Sequence, residues 1–215
     1  MASQMKLAAF LLPTGHHAAA WRHPGSAPDA GSNFQRQLEQ ARLAERGLFD
    51  AVFIADFTSS IDEATIDGFR RMTYAASFEP LTLLAALAAT TNRIGLIGTV
   101  STTYSVPYHL ARQFLSLDQI SGGRAGWNLV TTANVKESIH YGHPSHVPHA
   151  DRYQQAREFA QIVQNFWDSW DDDAFQRDIE RGEFFSHEGR RPFDFTGGFL
   201  TAAGQKDIQS SPEGT

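Results

Sequence analysis

The sequence predicts an α/β fold built on a parallel sheet. Two observations carry that reading. Short apolar runs and amphipathic stretches follow one another in the order βαβαβαβα. The runs are apolar throughout rather than alternating, as in parallel strands covered by helices. A third observation narrows the choice. No G-x-G-x-x-G follows the first run, which weighs against a dinucleotide-binding Rossmann domain. A doubly wound sheet and a (β/α)8 barrel both fit the order.

The elements follow in turn. Residues 6–12 form an apolar run closed by Pro13 and Gly15, the first strand. A Gly/Pro-rich loop covers 14–31. Over 32–46, Phe34, Leu38 and Ala41 recur at helical spacing, with Ser32 as N-cap and Gly47 as the left-handed residue past the end. Residues 51–55 are the second strand, stopping at Asp56. The connection 57–77 is long and mixed, and is expected to carry some structure of its own. Residues 80–91, rich in Ala and Leu with Pro80 in the first turn, read as a helix. Residues 94–100 are the third strand. The helix 107–120 places Leu110, Phe114, Leu117 and Ile120 on one side and ends at Gly122-Gly123. Residues 125–130 are the fourth strand. A loop of His, Gly and Pro leads to a helix over 151–167. Its apolar face holds Tyr153, Ala156, Phe159, Ala160, Val163, Phe166 and Trp167. Beyond Asp171 the pattern weakens, and 182–215 reads as a connector.

Composition bounds the function. The 215 residues make one large domain or two small ones, and 41% hydrophobic content supplies a real core. No apolar run approaches the roughly 18–20 residues of a membrane span. The N-terminus lacks a charged region followed by a long apolar one, so it does not read as a signal peptide. The absence of cysteine excludes disulfides and thiolate metal sites, and fits a cytoplasmic protein. The net charge is −6, and the basic residues are scattered, which speaks against a nucleic-acid partner. His140, His143 and His146 are loosely spaced without an ordered carboxylate set, so no metal site is expected.

The stretch SGGRAGWNLVTT, 121–132, packs three glycines, an arginine and a tryptophan into seven residues before a strand. Gly122 or Gly123 lets the preceding helix stop and reverse. Gly126 is expected to admit a close approach to the strand backbone. Asn128, Thr131 and Thr132 stand at or near the strand's C-terminal end. Polar residues close the other strands too: Thr14, His16 and His17 after the first, Asp56 after the second, and Thr99 with Ser101, Thr102 and Thr103 at the third. In parallel α/β folds ligands bind beyond these ends, so the convergence points to one polar site.

SGGRAGWNLVTT closely resembles the S-G-R-x-x-W-N-x-V-T segment of flavin-dependent monooxygenases in the bacterial-luciferase-like superfamily. The similar branch is typified by nitrilotriacetate monooxygenase component A. TGHHAAAWRHP at 14–24, FIAD at 53–56, TVSTTYSVPYHLAR at 99–112, HADRYQQAREF at 149–159 and FWDSWDDDA at 166–174 agree in order. The resemblance implies a (β/α)8 barrel. It also implies a flavin mononucleotide (FMN) site in which Asp56, Thr99, Asn128 and Thr131 hold the ring and ribityl chain. His149 and Tyr153, on one face at i and i+4, reach the phosphate. His16, His17 and the 57–77 segment face the substrate. Each residue also has a purely structural reading: Asp56 as a loop carboxylate, Thr99 and Tyr153 as packing, Asn128 as a backbone partner.

The resemblance implies a two-component system. A separate NAD(P)H-dependent flavin reductase supplies reduced FMN, and O2 reacts with it to give a C4a-peroxyflavin that oxygenates a small organic substrate. A homo-oligomer is implied for the full-length enzyme. The alternative is a non-catalytic flavin-binding relative, or one using a deazaflavin. Only the first four βα units of the barrel are legible, and QSSPEGT at 209–215 resembles the stretch that precedes the fifth strand. The chain is therefore expected to be the N-terminal half of a longer barrel, with 182–215 leading toward strand five.

Overall fold

The computed structural model describes residues 5–56 and 66–209. Along the chain these form β1 (Ala8–Phe10), α1 (Phe34–Arg46), β2 (Ala51–Ile54), α2 (Ile66–Phe69), α3 (Pro80–Ala88), β3 (Gly95–Ser101) and α4 (Pro107–Ser121). Then come β4 (Ala125–Val130), α5 (Glu137–His140), α6 (His149–Trp167), β5 (Phe193–Thr196) and β6 (Thr201–Gly204). The first four strands make one sheet in the order β1-β2-β3-β4, with every pair parallel. The parallel α/β reading of the sequence is thus observed.

The helices pack on one face of this sheet. Val52, Ile54 and Leu96 share a buried cluster with Leu38 of α1, Leu84 and Leu87 of α3, Phe114 of α4 and Phe159 of α6. A Cβ on Gly98 would lie 2.8 Å from Leu84 Cδ1, so only glycine lets α3 sit this close to β3. The alternate positions point the other way. Phe53, Ile97 and Asn128 are half-buried on the opposite face, and Phe10 is 38% exposed there, its ring 4.8 Å from that of Phe53.

Several local expectations are corrected. Asn33, not Ser32, caps α1, its side chain accepting from the Arg36 amide at 3.4 Å. The left-handed residue after α1 is Leu48, at φ 60°, rather than Gly47. The Phe49 amide donates back to the Ala44 carbonyl at 3.1 Å, so the reversal comes one residue late. Helix α3 stops at Ala88, where the Thr90 and Thr91 hydroxyls bond back to the Ala86 and Leu87 carbonyls. Ile120 is 55% exposed, because the buried stripe of α4 ends through Leu117, Asp118 and Ser121 instead. At the helix end, Gly122 and Gly123 both take positive φ, as the turn requires.

The segment read as a connector carries structure. β5 and β6 pair as an antiparallel ribbon, with Phe193, Phe195, Leu200 and Ala202 against the core. Glu158 of α6 accepts from the amides of Gly198, Phe199 and Leu200 and fixes the turn between them. Lys206, 1% exposed, donates to the Trp167 carbonyl at the end of α6, and burial pushes its pKa down to about 8. Among the described residues, no helix is long and apolar enough to cross a membrane.

Candidate functional site

The parallel register sets the site. It pairs Thr99 with Asn128 across β3 and β4. Asn128 Nδ2 donates to Thr99 Oγ1 at 2.9 Å, on the sheet face away from the helices. Just beyond, the Ser101 and Thr132 hydroxyls lie 2.6 Å apart, and the Thr132 amide donates to Thr103 Oγ1 at 3.2 Å. These hydroxyls tie the ends of β3 and β4 together.

Thr131 follows β4 and lines a concavity of about 510 Å³ with Leu129, Val130, Tyr153, Ala156 and Arg157. His149 opens α6, and its ring lies 4.8 Å from that of Tyr153. Tyr153 is 50% exposed, so it is not the core residue that the apolar stripe suggested. The structure thus brings Thr99 to Asn128, Thr131 to Tyr153, and Tyr153 to His149.

Asp56 stands two residues past β2 with an open surface, yet the chain around it still strips water from its carboxylate. That desolvation pushes its pKa up to about 6, and the negative charges of Glu79 and Glu137 add to the shift. Burial raises the pKa of Tyr141 as well, with a further push from the charge of Asp56.

The two histidines after β1 part company. His16 sets its ring edge-on to Phe10, at 5.2 Å, on the open sheet face. His17 accepts from the Ala19 amide through Nδ1 at 3.1 Å and lines a separate loop cavity with Thr14, Arg22 and His23. Of the 57–77 segment, 57–65 lies outside the described residues.

Three residues of SGGRAGWNLVTT are structural. Arg124 donates to the carbonyls of Ala88, Thr91, Ile94 and Ser121 and to Thr91 Oγ1. Trp127 packs among Phe114, Phe159 and Trp167. The room left by Gly126 is filled from within: a Cβ there would lie 3.1 Å from Ile97 Cγ1.

Three polar residues near the strand ends were not singled out from the sequence, Tyr104, Tyr141 and Arg152, and His146 was weighed there only as a metal ligand. Arg152 is 8% exposed and donates to the Thr132 carbonyl. A signal for it was present. It stands at i−4 from Ala156 and i−7 from Phe159, on the buried stripe of α6. The stripe therefore runs back to Arg152 rather than to Tyr153. Among the described residues, no group of three or more His, Asp or Glu side chains is placed to hold a metal ion.

This donor set suits a ligand with a polar planar part and an anionic end. Hydroxyl, amide and imidazole groups ring the strand ends, and Arg152 adds a buried guanidinium whose Nε has no partner.

Comparison with known proteins gives the family. N-acetyl-S-(2-succino)cysteine monooxygenase of Bacillus subtilis (strain 168) is 45% identical over 211 residues, covering 98% of this chain and 46% of that protein. Nitrilotriacetate monooxygenase component A of Aminobacter aminovorans is 39% identical over 217 residues, covering 98% and 48%. A crystal structure of riboflavin lyase with modified FMN and riboflavin superposes with a TM-score of 0.85 at 30% identity, covering 98% and 48%. The chain spans about half the length of the curated relatives it matches. The profile of the luciferase-like monooxygenases matches residues 11–213, and the chain belongs to that family.

Proposed function

We propose that these residues supply the first four βα units of a (β/α)8 barrel in an FMN-dependent, two-component monooxygenase. The observation that carries the reading is the Thr99–Asn128 pair on the open face of the sheet.

Reduced FMN, when bound, supplies the activation of O2. The chain's residues bind and orient it. Asn128 uses one amide hydrogen on Thr99, which leaves its carbonyl oxygen and second hydrogen for the flavin ring edge. Thr99 accepts that bond, so its own hydroxyl hydrogen is available to donate. Asp56 completes the ring contacts, and its raised pKa keeps part of the population protonated near neutral pH. Thr131, His149 and Tyr153 hold the ribityl chain and phosphate at the N-terminus of α6. Phe10, Phe53 and Ile97 make the face apolar and keep water from the reacting centre. His16, against Phe10, faces the small organic substrate; His17 is the weaker candidate, since its Nδ1 already serves the Ala19 amide. A separate NAD(P)H-dependent reductase supplies the reduced flavin, a reading supported by the component A relative.

The test is a titration of the purified chain with oxidised and photoreduced FMN, read by fluorescence and far-UV circular dichroism, with its mass in solution measured. Cooperative folding with tighter binding of reduced FMN is expected. A folded chain that binds neither form would overturn the reading.

A further inference from the structure

One polar series at the sheet's C-terminal end runs from the β3–α4 turn to Arg152. The Tyr104 hydroxyl, in the turn after β3, lies 2.8 Å from His146 Nδ1. His146 Nε2 meets Nη1 of Arg152. The same Nη1 donates to the Thr132 carbonyl, two residues past β4.

Donor rules fix the protonation of this series. A guanidinium only donates, so His146 Nε2 accepts and carries no hydrogen. A neutral imidazole has one hydrogen, which is then on Nδ1 and donates to the Tyr104 oxygen. An imidazolium has no acceptor at all. A proton on Nε2 would face the Arg152 cation and break the contact.

We propose that His146, held as its neutral Nδ1–H tautomer, is a positioning residue of this site. It holds Arg152 on the Thr132 carbonyl and so fixes the first turn of α6, with His149 and Tyr153, against the end of β4. Its effect on flavin rests on the reading that His149 and Tyr153 take the phosphate; its effect on the geometry does not. The titratable and charged groups that meet His146 are Arg152 from α6 and Tyr104 from the β3–α4 turn, and Tyr141 and His143 pack on Tyr104 in turn. The Tyr141 and His143 rings lie 4.8 and 5.3 Å from that of Tyr104. Glu137 of α5 and Asp56 act on Tyr141 by charge, and Glu137 on Tyr104 also.

The experiment is nitrogen-15 histidine NMR on the flavin-free chain from pH 5.5 to 8, with FMN affinities measured in parallel. The variants are His146→Ala and His146→Gln, the latter placing an amide oxygen where Nε2 accepts. At pH 7.5, His146 is expected to show the Nδ1–H tautomer. The ring resonances of His149 and Tyr153 are expected to shift in His146→Ala and return in His146→Gln. The dissociation constant for FMN should rise about tenfold in the alanine variant and less than threefold in the glutamine variant. An Nε2–H tautomer or an imidazolium at pH 7.5 would overturn the proposal. So would unmoved His149 and Tyr153 rings in His146→Ala, or unchanged affinity in that variant when the wild type binds. Rings that respond as described in a chain without FMN affinity would support the positioning role and sink the flavin reading.

Discussion

Asn128 reaches across from β4 and donates its side-chain amide to the Thr99 hydroxyl of β3, 2.9 Å away and 29 residues earlier in the chain. The two are register partners, so the parallel pairing itself creates the bond. It spends one amide hydrogen and leaves three polar positions directed at the open face. Asn128→Ala should weaken binding of reduced FMN about tenfold and lower stability by about 1 kcal/mol. Flavin titration and urea unfolding check the two effects. A loss of stability with unchanged flavin affinity would reduce the pair to a cross-strand tie.

Tyr153 is half-exposed, and its ring contacts that of His149. Tyr153→Phe removes the hydroxyl alone. Affinity for reduced FMN should fall about tenfold, the worth of one hydrogen bond to a charged group. Riboflavin, which lacks the phosphate, should bind both proteins equally. If riboflavin is affected as strongly as FMN, the hydroxyl does not serve the phosphate.

Asp56 gives a pH dependence of known sign. Its folded-state pKa is raised to about 6 from the usual 3.8. The folded chain therefore holds the proton more tightly than the unfolded chain. The stabilisation is fully present below about pH 4 and is lost as pH rises through 6. Asp56→Asn cannot ionise and should lack this loss. Urea midpoints of the two proteins, compared at pH 4.5 and 7.5, should move in favour of the asparagine variant at the higher pH. Movement in favour of aspartate would show that its charge is stabilised in the fold.

Arg124 works at the other end of the sheet. One guanidinium satisfies carbonyls from the α3–β3 connection and from the end of α4. Arg124→Ala should cost about 2–4 kcal/mol, because several carbonyls lose their donors together. Arg124→Lys should recover little of it, since an ammonium lacks the planar fork. Flavin affinity per folded molecule should not change, which separates this residue from those at the strand ends.

Leu48 holds a left-handed conformation that leucine disfavours, with its side chain 81% exposed. Leu48→Gly should relieve that strain without losing packing. A gain of about 0.5–1 kcal/mol in urea unfolding is expected, the left-handed penalty less the extra chain entropy of glycine. A loss would mean that Leu48 packs in solution against something that outweighs the strain.

Much of this was legible because the information was local. Proline at the start of α3 and α4, glycines 122 and 123 after α4, and short uninterrupted apolar runs each act within a few residues. The polar strand ends were legible for a similar reason: a run of apolar residues stops where the strand leaves the core. What was missed depended on rotation or on reach. The α6 stripe was read one residue out of phase at its start, which exposed Arg152 on paper and buried Tyr153. The ribbon of β5 and β6 was hidden because each strand has only four residues and gains stability by packing on α6.

The sequence by itself determined the order of the four parallel strands and their main helices, and the end of the sheet at which polar side chains gather. Those follow from hydrophobic period and from residues that start or stop a helix. Only the tertiary structure decided which polar residues meet. It joined Asn128 to Thr99, turned His17 away while leaving His16 on Phe10, and gave Arg124 to the core and Arg152 to the site. The physical reason is that the Thr99–Asn128, Arg124 and Arg152 contacts link residues on separate elements, and a one-residue change in strand register or helix phase would replace them.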